Sequence, residues 1–176
     1  MLPTPLHPMV VHFPIALAVL LPIFAIVSLV AIRRGASPRR AWAATLAVAA
    51  ALALSAFVAV RTGEADEERV EDVVLHGAIH THEEAAERFL VLSGVLLLVA
   101  GAGMLNGTPG RAARYVATAG SVVLIAAGVQ VGGAGGTLVY EHGAADAWTG
   151  EHQGAAALQR QVAQPEADVN ADVDSR

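Results

Sequence analysis

Histidine is the residue type that could carry chemistry in this chain, and its positions follow the apolar segments. His7 and His12 open the first apolar segment, His82 precedes the third, and His142 follows the fourth. Neutral imidazole is a common ligand for haem iron, copper, zinc and non-haem iron. The pattern therefore indicates a binding site for a metal or a metal-containing cofactor. No role is assigned to the other histidines, which are His76, His80 and His152.

Other kinds of chemistry are excluded by composition and motif. The chain has no cysteine, which excludes disulfides, thiolate zinc sites, iron–sulfur clusters and covalently attached haem. Its net charge of −5 argues against nucleic-acid binding. The segment His82-Glu83-Glu84-Ala85-Ala86 has only the first half of a zinc-protease motif, and no nucleophile and base are paired. We expect a binding protein and not an enzyme acting by itself.

The elements that must position the histidines are membrane-spanning helices. Hydrophobic residues make up 55% of the chain and charged residues only 15%, whereas globular proteins carry about 25% charged residues. Four apolar segments predict helices at about 8–32, 41–61, 82–105 and 113–140, most of them long enough to cross about 30 Å of hydrocarbon. The fold class is therefore all-α, an integral membrane four-helix bundle in residues 1–148. The polar tail, 149–176, is expected to be disordered.

Charge predicts how these helices lie in the membrane. The turns at 33–40 and 106–114 carry six arginines and no acidic residue, so the positive-inside rule places them in the cytoplasm. Both termini and the loop at 61–88, with nine acidic residues and three arginines, then face outward. On this topology all seven histidines lie at the outer face.

Short turns join the helices into two hairpins of similar plan. Each hairpin begins with a histidine at the outer face, His12 in the first and His82 in the second, and turns back at arginine and proline. This plan predicts a pseudo-two-fold repeat about the membrane normal.

The site predicted from these positions is centred on His12 and His82. They begin two different helices and are our predicted axial ligands for a b-type haem, with electron transfer at the periplasmic face. His7 and His142 would be second ligands, or donors to haem propionates or to a quinone. The glycine stripe that includes Gly128 and Gly132 predicts either close helix packing or a groove for a flat cofactor.

Two alternatives remain open from the residues alone. In the first, a copper, zinc or iron ion replaces haem and is held by His12, His82, His142 and His7 with Glu83. Glu83 equally suits the positive end of the helix dipole at the start of the third helix. In the second alternative, the chain is a structural or assembly subunit of a larger membrane complex, and its small-residue stripes are docking faces.

Three motifs resemble a known family. The first spans residues 6–17 and is similar to its opening "HPxxVHFPIAL"; residues 81–86 resemble "HEExA", and residues 136–143 resemble "GxLVYxHG". The family is the bacterial membrane family called domain of unknown function 2231, and the resemblance covers roughly residues 6–146. It implies a small four-helix protein of the cytoplasmic membrane. Because members are sometimes encoded beside or fused to cytochromes or Rieske domains, it also implies electron transfer with a redox partner protein. The motifs include His7, His12, His82 and His142.

Overall fold

The structure, a computed structural model, describes residues 5–71, 73–74 and 76–148. The tail that was expected to be disordered, 149–176, lies outside the described residues. The helices are α1 (His7–Val10), α2 (His12–Arg33), α3 (Pro38–Glu71), α4 (His76–Ala102) and α5 (Gly107–Tyr140), followed by a 3-10 helix (Ala144–Trp148). The described part of the chain contains no strand, so the all-α prediction is confirmed.

Four helical segments are long and apolar enough to cross a membrane, as predicted. They are His7–Arg33, Pro38–Glu67, His76–Ala102 and Gly107–Tyr140. The first combines α1 and α2, which are separated only at Val11. Pro14 explains this interruption, because it has no N–H to donate to the carbonyl of Val10 and its ring crowds that carbonyl.

Two helices extend further than the apolar segments predicted. Helix α3 continues to Glu71 and not to about residue 61, and α4 begins at His76 and not at about residue 82. Polar side chains one turn apart support these extensions: Arg61 contacts Glu64, and His80 Nε2 lies 3.2 Å from Glu84 Oε1. The predicted limits were placed where the hydropathy falls, and both helices extend beyond them into polar sequence.

The four long helices share one apolar core. Helix α2 packs against α3 and α5, and α4 packs against the same two helices. Trp42 of α3, with 0% of its surface exposed, is among the largest fully buried side chains. At one end lie the two arginine-containing turns, which we call the arginine-rich end. The opposite end, where α1 and α4 begin, we call the histidine-rich end.

The second hairpin repeats the burial pattern of the first. Five of the six positions buried in α2 are buried again 75 residues later in and just after α4, the exception being Pro22: Pro14, Ala18, Leu21, Ala25 and Ser28 correspond to Phe89, Ser93, Leu96, Ala100 and Gly103. Four positions buried in the first part of α3 are buried again 72 residues later in α5: Trp42, Thr45, Ala49 and Leu52 correspond to Arg114, Ala117, Ser121 and Leu124. The buried Ala56 and Ala59 have half-buried counterparts. The shared register agrees with the predicted internal repeat.

Side chains of α3 and α5 bind the last carbonyl groups of α4 and its turn at the arginine-rich end. The Trp42 indole N–H donates to the carbonyl of Ala100 at 2.9 Å. Arg39 donates to Met104 at 3.2 Å, and the buried Arg114 donates to Gly103. Carbonyl groups at a helix end have no partner within the helix, so these donors complete α4.

Replacing Trp42 by phenylalanine is expected to lower the free energy of unfolding by about 1–3 kcal/mol. The core would lose part of the indole ring, and the carbonyl of Ala100 would keep only its weaker backbone donor, the N–H of Gly103 at 3.1 Å. Thermal unfolding of the detergent-solubilised protein measures the change. The control is Tyr115→Phe, which removes a hydroxyl from an exposed side chain and should change stability by less than about 0.5 kcal/mol. Equal losses in the two variants would contradict the assigned role of Trp42.

Candidate histidine site

His7 and His82 meet at the histidine-rich end. Their ring centroids are 6.1 Å apart and the ring planes are nearly perpendicular, at 86°. His7 is the first residue of α1, and His82 lies in the second turn of α4. Two of the four histidines predicted for the site are thus brought into one place. We call these two rings the histidine pair.

Helix α3 fixes the position and the tautomer of His7. Its Nδ1 lies 2.8 Å from the carbonyl oxygen of Ala59. A carbonyl only accepts hydrogen bonds, so Nδ1 carries the proton and Nε2 of the neutral ring keeps a free lone pair. The Thr62 hydroxyl lies 3.4 Å from the same Nδ1. Asp66 accepts the backbone N–H of His7 at 3.3 Å, which anchors the start of α1.

His82 lies against α5 in a less polar setting. The ring is half-buried and interacts with the backbone of Val131. Its Nδ1 is buried and makes no hydrogen bond of good geometry among the described residues.

Each imidazole is seated on a glycine of the neighbouring helix. A Cβ atom added to Gly63 would lie 3.2 Å from Cε1 and Nδ1 of His7. A Cβ atom added to Gly135 would lie 3.1 Å from Cε1 of His82. Since ordinary contacts of a Cβ atom are longer, any larger residue would push the ring away. The two glycines therefore let both rings approach the helix backbone.

The two seats are equivalent under the internal repeat. In α3, Ala59 precedes Gly63 by four residues, and in α5 Val131 precedes Gly135 by four residues. Ala59 and Gly63 contact His7, at the start of the first hairpin. Val131 and Gly135 contact His82, in the second turn of α4, the first helix of the second hairpin. The histidine pair thus joins two copies of one structural unit.

His12 does not face His82, in contrast to the pairing predicted from the sequence. His12 is exposed at the start of α2, and its Nδ1 lies 3.3 Å from the carbonyl oxygen of Met9 in α1. Five residues separate His7 from His12, which places them about 140° apart around a helix of 3.6 residues per turn. His7 occupies the inward position, so it replaces His12 as the partner of His82.

The other predicted imidazole and carboxylate ligands lie outside the pair. His142 is exposed just beyond α5, where its backbone N–H donates to the carbonyl of Thr137 at 3.2 Å. Glu83 lies beside Glu67, and its Oε2 is 4.0 Å from Nδ1 of His80. His142 and Glu83 thus lie at the histidine-rich end but outside the histidine pair.

The predicted glycine groove is divided between two surfaces. Gly128 packs against the ring of Phe89, where an added Cβ would lie 3.4 Å from Cε2. Gly132 is exposed and has open space at the Cβ position. Gly128 therefore serves helix packing, and Gly135 is the glycine that contacts an imidazole.

The described residues contain no group of three or more histidine, aspartate and glutamate side chains that could hold a metal ion. The structure brings together two imidazoles, and not the three or four considered for a bare metal. What the geometry offers is two imidazoles in edge contact, with centroids 6.1 Å apart.

The glycine seats and the anchor Asp66 were missed by the sequence reasoning. Aligning the two hairpins on His7 and His82, instead of on His12 and His82, would have placed Gly63 opposite Gly135. Asp66 carries no comparable signal, because it is one of many acidic residues in its segment.

Four helices able to span a membrane, with an imidazole pair held between them, define an integral membrane protein with an internal histidine site. Residues 3–147 match the family described as "Predicted membrane protein (DUF2231)", and the chain belongs to this family. No curated protein and no solved structure matches the chain. The family description names a membrane protein and states no activity.

Proposed function

We propose that the protein binds a b-type haem through His7 and His82 and transfers electrons at the histidine-rich end. The observation that carries the proposal is the pair itself, with ring centroids 6.1 Å apart. His7, from the first hairpin, and His82, from the second, would together hold the haem iron. The hydrogen bond from His7 Nδ1 to Ala59 leaves Nε2 available as a ligand.

The number of ligands favours haem over a bare metal ion. Zinc and related ions in proteins usually require three or four side-chain ligands. Haem needs fewer ligands from the protein, and two histidines, His7 and His82, would be enough to hold it. His7 and His82 match that requirement, and among the described residues no group of three or more histidine, aspartate and glutamate side chains could hold a bare ion.

The residues around the pair would tune such a centre. Haem, when bound, supplies reversible one-electron transfer at its iron. The Ala59 carbonyl fixes the orientation and the tautomer of His7, as partners of metal-bound histidines do. Asp66 holds the start of α1 in place. The half-buried setting of His82 reduces the contact of its ring with water.

We place this site on the outer side of the bacterial cytoplasmic membrane. In this arrangement the helices form a four-helix bundle of two hairpins, and the arginine-rich end faces the cytoplasm by the positive-inside rule. Both termini and the acidic ends of α3 and α4 then face the periplasm. A redox partner protein would exchange electrons at this face.

The proposal is tested by purifying the protein from membranes and measuring its absorption spectrum, iron content and extractable haem on one sample. The expected result is a Soret band and one haem per chain, with iron in equal amount. Haem-free protein should take up one equivalent on titration. Zinc or copper without porphyrin, or no uptake of added haem, would overturn the proposal.

A structural subunit of a larger membrane complex is the second candidate. It is favoured by the exposed face of α5, where Gly132 and Gly133 leave open space at their Cβ positions and let another helix approach closely. On this view, His7→Ala and His82→Ala would leave co-purification with partner subunits unchanged, and the wild-type protein would contain neither haem nor metal.

A further inference from the structure

Arginine side chains from two helices meet at the end of α4. Arg39, in the first turn of α3, donates from Nε to the carbonyl of Met104 at 3.2 Å. Arg114, of α5, donates to the carbonyl of the preceding residue in that turn, Gly103. Arg111 lies one turn before Arg114, so their side chains are neighbours on the surface of α5. We call Arg39, Arg111 and Arg114 the arginine cluster.

The surrounding chain neutralises little of the charge of this cluster. The segments 33–40 and 102–114, which the structure describes in full, contain no acidic residue. The carbonyl groups at the end of a helix are equivalent to about half a negative charge, whereas each of the three guanidinium groups carries a full positive charge. Arg114 is buried, with 6% of its surface exposed. Because buried charges in proteins are normally paired with an opposite charge, the cluster suits an anionic ligand.

The cluster keeps hydrogen-bond donors for such a ligand. A guanidinium group has its N–H donors in a planar fork that matches the oxygens of a phosphate group. The contact of Arg39 with Met104 uses Nε, so its two Nη atoms remain as donors. Arg39 and Arg111 are both exposed. A phosphate group can therefore reach the cluster from the surface.

The cluster lies at the depth of the lipid headgroups. Helix α5 has 34 residues. It is about 51 Å long at about 1.5 Å per residue, whereas the hydrocarbon core is about 30 Å thick. With α5 centred in the membrane, about seven residues at each end lie beyond the hydrocarbon. Arg111 and Arg114, the fifth and eighth residues of α5, then lie at the level of the lipid phosphate groups.

We propose that the arginine cluster binds the phosphate group of an anionic phospholipid. Tyr115 and Val116 are exposed beside it and suit the interface and the acyl chains, which favours a lipid over free phosphate. A headgroup of net negative charge is favoured because an ammonium group would add to the positive charge of the cluster. Basic pockets between helices at the cytoplasmic face bind such headgroups. This site is independent of the histidine pair, which lies at the opposite end of the bundle.

Binding is measured by native mass spectrometry of the full-length protein, purified in a neutral detergent and freed of lipid. The probes are phosphatidylglycerol, phosphatidylcholine with the same acyl chains, and inorganic phosphate. We expect one tightly bound phosphatidylglycerol per chain, held at least about fivefold more tightly than phosphatidylcholine, as a difference of one charge near the cluster predicts. Inorganic phosphate at the same concentration should not displace it.

The variants Arg39→Gln and Arg111→Gln test the cluster and leave the contact of Arg114 with α4 in place. Each should weaken the binding of phosphatidylglycerol about fivefold. Arg111→Lys keeps the charge and should weaken it less than about twofold. The matched control is Arg34→Gln, which removes an exposed arginine after α2, the helix diagonal to α4. Its effect should be less than about twofold, because solvent and salt screen exposed charges at a distance.

Three results would overturn the lipid site. One is equal affinity for phosphatidylglycerol and phosphatidylcholine. Another is displacement of the lipid by inorganic phosphate, which would mean that the ligand is the free anion. The third is an equal loss of affinity in Arg34→Gln, Arg39→Gln and Arg111→Gln, with helicity unchanged by circular dichroism. Binding would then depend on the total positive charge of this end and not on the cluster.

Discussion

Replacing His7 by alanine should remove the haem absorbance of the purified protein, whereas replacing His12 by alanine should leave it nearly unchanged. His7, in α1, is held against His82 by Ala59 and Asp66. His12, at the start of α2, is exposed and points away from His82. Loss of a residue that merely supports a metal ligand costs about 10- to 100-fold in affinity, so loss of the ligand itself should cost more than about 100-fold.

The same loss is expected for His82→Ala, and added imidazole should restore part of the absorbance in either variant by filling the vacated ligand position. Haem content per chain, measured on protein of verified helicity, is the readout. If His12→Ala lost as much haem as His7→Ala, or if neither lost any, the assignment of the pair would be wrong.

Replacing Gly135 by alanine should weaken haem binding by about tenfold or more and lower the melting temperature. The added Cβ would lie 3.1 Å from Cε1 of His82, so the ring must move by a few tenths of an ångström. Overpacking of this kind costs about 1–3 kcal/mol. Gly63→Ala should act in the same way on His7, where the corresponding distance is 3.2 Å.

Gly132→Ala is the matched control for the glycine seats. It lies on the same helix as Gly135 but has open space at its Cβ position. Because alanine favours helix over glycine by about 1 kcal/mol, this variant should be as stable as wild type or more stable, with unchanged haem affinity. Equal behaviour of Gly132→Ala and Gly135→Ala would show that the seat has no special role.

The four membrane-spanning helices could be predicted from the sequence because each depends on the composition of its own segment. Long apolar segments separated by arginine-containing turns need only length and hydropathy to indicate four spanning helices. The polar ends of α3 and α4 were missed since charged side chains one turn apart stabilise a helix in water, and hydropathy does not record them.

The histidine site could be predicted only in part, because the pairing of its residues depends on which face of each helix turns inward. Both His7 and His12 stand near the start of the first helix, and an apolar segment with little asymmetry does not indicate which one is inward. The repeated unit of histidine and glycine becomes visible once the burial register relates α2 to α4 and α3 to α5. Gly63 and Gly135 act through contact between helices, which no local pattern records.

Electron paramagnetic resonance of the oxidised, purified protein tests the central claim most directly, since it reports the axial ligands of a haem iron. The expected result is the signal of a six-coordinate, low-spin ferric haem with two imidazole ligands, at one haem per chain. This signal should be lost in His7→Ala and in His82→Ala. A high-spin, five-coordinate signal, or a low-spin signal that survives both substitutions, would contradict the assignment of His7 and His82 as the ligand pair.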